Sequence, residues 1–216
     1  MKQLQTLILW GGWDGHEPEA VAQLFAADLR AQGASVRLES SLSLLADLET
    51  LRAFDLIFLC WTMGSLTPEQ SQSLLTAIRE GTGLGGVHGG MGDAFRGNLD
   101  YEWMTGGHFV GHPHVGPYTV RLTSVDHEIT AGLPCEFPYN SEQYYMMVDP
   151  GICVLAETTY THDNRCCTMP VVWTKHWGKG RVFYSALGHK PQEFHDHPHV
   201  RQMTVRGLLW AARSRS

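Results

Sequence analysis

Apolar positions follow two alternating rhythms along the chain as far as residue 90, and the rhythm then breaks down. Residues 4–10 form a β-rich apolar run that stops at Gly11-Gly12, and Pro18 follows where a first-turn proline opens a helix. Val21, Leu24, Phe25 and Leu29 then recur at helical spacing until Gly33 caps the pattern. Residues 35–39 alternate like a strand, and residues 54–60 are almost continuously apolar, as expected of a strand buried on both faces. Thr67-Pro68-Glu69-Gln70 joins an N-cap to a proline at the first helical position and an acidic first turn, and leads into Leu74, Leu75 and Ile78. Gly81 ends that helix, and residues 83–87 read as a short glycine-rich strand. This βαβα order predicts an α/β fold with a parallel, doubly wound sheet.

Beyond residue 90 the pattern changes. Residues 91–116 hold six glycines with little periodicity and are expected to form a long functional loop or insertion. Residues 117–122, 152–158, 171–173 and 181–187 read as strands, several of them antiparallel, with Gly178-Lys179-Gly180 as a hairpin turn between the last two. A final amphipathic helix is expected over about residues 198–212. No repeat or linker interrupts the chain, so residues 1–216 are expected to be one domain continuing one sheet.

Composition narrows the class of ligand. The formal charge of −6 comes without any Lys/Arg run, so neither nucleic acid nor an anionic membrane is expected as partner. The apolar stretch near the amino terminus is too short for a signal-peptide core or a membrane span. Five cysteines make an odd set without CxxC spacing, which reads as reduced and cytoplasmic. A small-molecule ligand is the expectation, no nucleotide cofactor is indicated, and a homo-oligomer is left open. Twelve histidines against sixteen Lys plus Arg direct attention to imidazole chemistry.

In open parallel sheets the ligand crevice lies beyond the carboxyl ends of the strands. His16, His88 and His189 each follow a predicted strand. His88 lies within Gly85-Gly86-Val87-His88-Gly89-Gly90, where glycines permit a tight strand-to-helix turn like a nucleophile elbow without its Ser or Cys. Imidazole there suits acid/base work or metal ligation, not acyl transfer. For His16 a surface or hydrogen-bonded core role weighs equally.

His108, His112 and His114 form a second cluster. Gly111 and Pro113 argue against a helix there, so the cluster is a loop able to ligate a divalent metal, zinc or manganese. His195, His197 and His199 read as a polar lead into the last helix. Among the acids, Asp93, Asp100 and Glu142 could orient an imidazole or act as bases, with Glu142 in a polar break between strands. Trp13, Trp61, Trp103, Tyr144, Tyr145 and Trp177 lie near predicted loops, where ring faces beside polar groups suit stacking on sugars, although packing accounts for each one alone. His16, Asp93, Trp61 and Tyr144 are the candidate substrate contacts.

Gly86-Val87-His88-Gly89-Gly90 is followed in order by Thr105-Gly106-Gly107-His108-Phe109-Val110-Gly111-His112-Pro113, Asp126-His127-Glu128-Ile129-Thr130 and Ser141-Glu142-Gln143-Tyr144. Pro170-Val171-Val172-Trp173, residues 178–184, Leu187-Gly188-His189 and Leu209-Trp210-Ala211-Ala212 complete the series. Together these resemble the ThuA-like (trehalose utilisation) family, of the class I glutamine amidotransferase-like fold, over almost the whole chain. The resemblance implies a flavodoxin-like three-layer sandwich with a mostly parallel central sheet and some antiparallel strands in the second half. It puts His88 where amidotransferases carry their cysteine nucleophile, and names His112, Glu142 and His189 as further pocket residues. The family is linked to disaccharide metabolism through 3-keto sugars. His114 and the 195–199 cluster fall outside the resemblance.

The resulting expectation is an enzyme acting on a sugar or keto-sugar. His88 and Glu142 would be its acid/base groups, and His112 and His189, with His108 beside them, its metal ligands or substrate polarisers. A non-catalytic sugar-binding or regulatory module, and a metal-dependent hydrolase, are the alternatives.

Overall fold

The computed structural model describes residues 3–212. The first half follows the predicted rhythm. Strand β1 (Gln5–Gly12) leads through a short turn at Asp14–His16 into helix α1 (Pro18–Ala31), followed by β2 (Ser35–Glu39), α2 (Leu48–Arg52) and β3 (Leu56–Thr62). Helix α3 (Pro68–Glu80) opens with a full capping box: the Thr67 hydroxyl accepts from the Gln70 amide, and the Gln70 side chain accepts from the Thr67 amide. Strand β4 (Gly83–Val87) then runs into the one-turn helix α4 (Gly89–Gly92) at His88.

The second half departs from expectation at residues 91–116. Instead of a loop, this segment carries the end of α4, helix α5 (Leu99–Thr105) and the first part of β5 (Gly107–Leu122). Strand β6 (Glu136–Val148) pairs antiparallel with β5, so Glu142 lies within a strand and not in a break. The reason is local. The β5–β6 register shifts between Phe109 and His114, and buried positions on β6 pass from odd to even between Gln143 and Tyr144, which erases the simple alternation. Strands β7 (Cys153–His162), β8 (Arg165–Trp177) and β9 (Gly180–Ser185) follow, the last two joined at Gly178-Lys179 as expected. Helices α6 (Pro191–Asp196) and α7 (Pro198–Ala211) are the last elements among the described residues.

Among the described residues nine strands join one sheet in the order β2-β1-β3-β4-β9-β8-β7-β5-β6. Strands β2, β1, β3, β4 and β9 are mutually parallel, whereas β8, β7, β5 and β6 extend the sheet antiparallel. The sheet is therefore mixed: four parallel pairings join β2 through β9, and the antiparallel strands expected in the second half add four more. Helices α1, α6 and α7 contact one another on one face, and α2, α3 and α5 group on the other. β3 and β4 are buried almost throughout and β1 over residues 6–9, as strands covered on both faces must be. Among the described residues, no helix is long and apolar enough to cross a membrane.

A carboxylate ties the antiparallel ribbon to the loop after β9. Glu193 on α6 accepts from the Tyr139 hydroxyl at 2.6 Å and the Ser141 hydroxyl at 2.7 Å on β6, and from the His189 amide at 3.0 Å. The Gly188 amide donates to the Tyr139 oxygen at 3.0 Å. Charge-assisted bonds of this kind contribute about 1.5–3 kcal/mol each. Glu193→Ala is expected to lower unfolding stability by about that amount, with Tyr139→Phe costing less. In a double-mutant cycle by urea denaturation the pair should couple by about 0.5–3 kcal/mol. Strictly additive effects would show that the network does not hold the ribbon against that loop.

Candidate functional site

Four neighbouring parallel strands deliver polar groups to one edge. His16 follows β1, Thr62 ends β3, His88 follows β4, and His189 lies four residues beyond β9. Glu142 comes from the opposite end of the sheet order, on the bent β5–β6 ribbon, where it pairs with Val115. Glu142 and Tyr144, two positions apart, share the ribbon face that meets His88.

His88 is the most constrained of these residues. Its backbone lies at φ 47°, ψ −137°, a region that costs a non-glycine residue about 1–3 kcal/mol. Strand β9 holds it there. The His88 amide donates to the Ser185 carbonyl at 2.6 Å, the Tyr184 hydroxyl donates to the His88 carbonyl at 2.9 Å, and ring Nδ1 lies 2.8 Å from the Ala186 carbonyl. A carbonyl only accepts, so Nδ1 carries a hydrogen, and in the neutral ring Nε2 presents a lone pair. Nε2 faces Glu142 Oε2 at 3.2 Å and His189 Nδ1 at 3.2 Å, and the latter two atoms are 3.4 Å apart. Tyr144 stacks on the ring with centroids 4.0 Å apart.

His16 closes the inner side. Its Nδ1 is 2.8 Å from the Thr62 hydroxyl, and its ring stands edge-on to His88 and His189 at 4.8 and 5.0 Å. A side chain at Gly89 would collide with this ring, which explains why glycine stands directly after the elbow. Burial, reinforced by the neighbouring His88 and His189, lowers the His16 pKa to about 3. For Glu142 burial acts upward, but contacts with His189 and His88 and their charges outweigh it, holding the carboxyl well below the usual range. Exposure rises from His88 (2%) and His16 (8%) through Glu142 (16%) and His189 (17%) to His112 (41%), so a ligand approaches past His112.

The remaining candidates separate cleanly. His112 Nε2 lies 3.6 Å from Glu142 Oε1 at the mouth. His108, expected beside the metal ligands, instead turns to Glu102 at 3.3 Å, because the strand shifts register between it and His112. Asp93, expected to contact substrate, is buried with both carboxylate oxygens on Arg96 at 2.5 and 2.7 Å. Trp61 neighbours Thr62 on a strand, so it points to the other face, where it packs on Gly11 and Gly64. His197 and His199 pack on Tyr139 and Phe137. Thr62, the Ala186 carbonyl and Glu193 went unnoticed in the sequence. A hydroxyl at a strand end was a readable signal for Thr62, whereas a backbone carbonyl carries none. Among the described residues, only His16, His88, Glu142 and His189 converge as metal-capable ligands, with one donor atom of each within 4.8 Å of the others. Cys60 lines a small cavity beside His16 and His88, but burial pushes its thiol far above the usual range and makes it a poor nucleophile.

The lowered pKa values set an acid limb of stability. Folding favours neutral His16 and ionised Glu142, so both contributions are present at neutral pH. The His16 part is lost as pH falls below its ordinary 6.5 toward 3, and the Glu142 part only below its ordinary 4.5. In chelator-treated protein, His16→Gln should flatten the fall in urea midpoint between pH 6.5 and 4.5. An unchanged slope there would show that His16 is not held neutral.

Several known proteins share this architecture. A putative ThuA-like protein from Bacteroides uniformis superposes with a TM-score of 0.80 at 19% identity, over 98% of this chain and 93% of that one. One from Parabacteroides merdae gives 0.77 at 17% identity, over 100% and 93%. A cytoplasmic protein of Salmonella typhimurium gives 0.67 at 14% identity, over 98% and 100%. Among curated proteins none matches the sequence significantly. The family model described as trehalose utilisation matches residues 5–211, nearly all of the chain. The protein thus belongs to the ThuA, trehalose utilisation, family.

Proposed function

We propose that the protein is an enzyme of carbohydrate metabolism that moves a proton beside the carbonyl of a sugar or keto-sugar, at the pocket formed by His88, Glu142, His189 and His112. The observation that carries this reading is the anchoring of His88 Nδ1 on the Ala186 carbonyl, which aims Nε2 at the same point as the Glu142 carboxylate and His189. The family's link to trehalose utilisation supports a carbohydrate as substrate.

The groups divide by depth. Glu142 turns Oε2 inward to His88 and His189 and Oε1 outward to His112. The outer pair, Glu142 and His112, is placed to take a proton from the carbon next to a ketone and to return it. The inner imidazoles would stand beside the carbonyl oxygen, where a cation held between them would meet the charge as it develops. Trp13, 47% exposed and edge-on to His16, and Phe109, tilted against Tyr144 and His112, offer apolar ring faces to the C–H face of a pyranose. The Cys60 thiol is not needed, consistent with an elbow that carries imidazole.

The test is hydrogen exchange. Trehalose, glucose and their 3-keto derivatives would be incubated with the protein in D2O, and loss of the signal next to the carbonyl followed by NMR. The keto-sugars should exchange or turn over, and Glu142→Gln and His112→Gln should each slow the reaction by about 10²–10⁴-fold. Absence of any reaction with all four sugars, or full rates in Glu142→Gln, would contradict the proposal.

A further inference from the structure

We infer that His16, His88, His189 and Glu142 form a binding site for one divalent transition-metal ion, with three nitrogens and one carboxylate oxygen as ligands. This inference does not depend on the substrate being a sugar.

The His88 ring makes the first argument. With its hydrogen committed to the Ala186 carbonyl, neutral His88 turns a lone pair toward a carboxylate oxygen 3.2 Å away and an imidazole nitrogen 3.2 Å away. Three electron-rich atoms in so tight a triangle repel unless something positive lies between them. A single proton satisfies one pair at a time, whereas a cation satisfies all three together. The spacing agrees: donors held about 2.0–2.2 Å from one ion stand about 2.8–3.1 Å apart at right angles in octahedral geometry and about 3.3–3.6 Å apart in tetrahedral geometry. The observed edges are 3.2, 3.2 and 3.4 Å.

The supporting contacts make the second argument. Metal-ligating histidines ordinarily anchor their other ring nitrogen on a carbonyl, carboxylate or hydroxyl, which fixes the tautomer. His88 Nδ1 is anchored on Ala186 and His16 Nδ1 lies on the Thr62 hydroxyl, leaving Nε2 of each ring as its available donor. The amide of His189 is tied to Glu193. The ligands come from four separate elements, at the ends of β1, β4 and β9 and from β6; the fold holds His88, His189 and Glu142 at ligand spacing, and the His16 nitrogen, in a set whose donors lie within 4.8 Å of one another, closes in when an ion binds.

Ligand chemistry selects the ion. Imidazole-rich sites favour zinc and its neighbours in the first transition row, and calcium and magnesium prefer all-oxygen sites. With one monodentate carboxylate, the ion keeps room on the His112 side, where exposure is greatest.

The test reads metal directly, without substrate. Protein produced without a histidine tag or chelator would be analysed by elemental mass spectrometry. It would then be stripped and titrated with zinc, manganese and cobalt, with the visible spectrum of the cobalt form as reporter. One equivalent should bind, with a cobalt ligand-field band. His88→Ala, His189→Ala and Glu142→Ala should each weaken zinc binding by about 100-fold or more, and Thr62→Ala by about 10–100-fold. His108→Ala should stay within about threefold of the parent. Near-UV circular dichroism confirms that each variant is folded. Stripped parent protein that takes up none of the three ions, or folded His88→Ala binding zinc as the parent does, would overturn the assignment. Because the readout is metal and not turnover, a failure of the keto-sugar reaction leaves this inference standing, and its own failure leaves that reaction open.

Discussion

The site depends on the grip of β9 on His88. Three hydrogen bonds from consecutive positions, Tyr184 to Ala186, hold the backbone in a conformation that imidazole-bearing residues rarely adopt, and the third also decides where the ring hydrogen resides. Remove that grip and the elbow can relax, the ring can flip, and the lone pair no longer faces Glu142 and His189. The strain of about 1–3 kcal/mol is offset by the extensive burial of β4 and β9, whose residues are among the most enclosed in the molecule.

The second half of the chain serves this arrangement. A parallel sheet alone could bring His16, His88 and His189 to one edge, since each follows a strand of the same direction. It could not supply a carboxylate facing them. The antiparallel extension does so, by carrying β6 away from the parallel strands and bending its ribbon back so that Glu142 and Tyr144 meet His88. Glu193 holds that bent ribbon, at Tyr139 and Ser141 beside Glu142, against the loop bearing His189.

How much of this could be read in the sequence follows from how local each signal is. The capping box at Thr67, the apolar run of β3 and the glycines around His88 are local, and the elements they announce lie within a few residues of expectation. Residues 107–116 defeat the same reading. Bulges around Gly111 break the alternation, and the ribbon is exposed over most of this stretch, so no periodic burial marks it as a strand. The strand-end rule pointed to His16, His88 and His189. It could not say that they converge, because their mutual contacts join residues 72 to 173 positions apart. His108 and Asp93 looked equally suitable as residue types, and their roles were decided by neighbours, Glu102 and Arg96, that hold them elsewhere.

The central claim is that His88 presents a bare Nε2 to Glu142 and His189. Nitrogen-15 NMR of the histidine rings in chelator-treated protein tests it most directly, at a pH well above the ordinary histidine value of about 6.5. The account predicts that the His88 ring carries its hydrogen on Nδ1, with Nε2 showing the shift and couplings of an unprotonated nitrogen. A hydrogen found on Nε2, with Nδ1 bare, would contradict it.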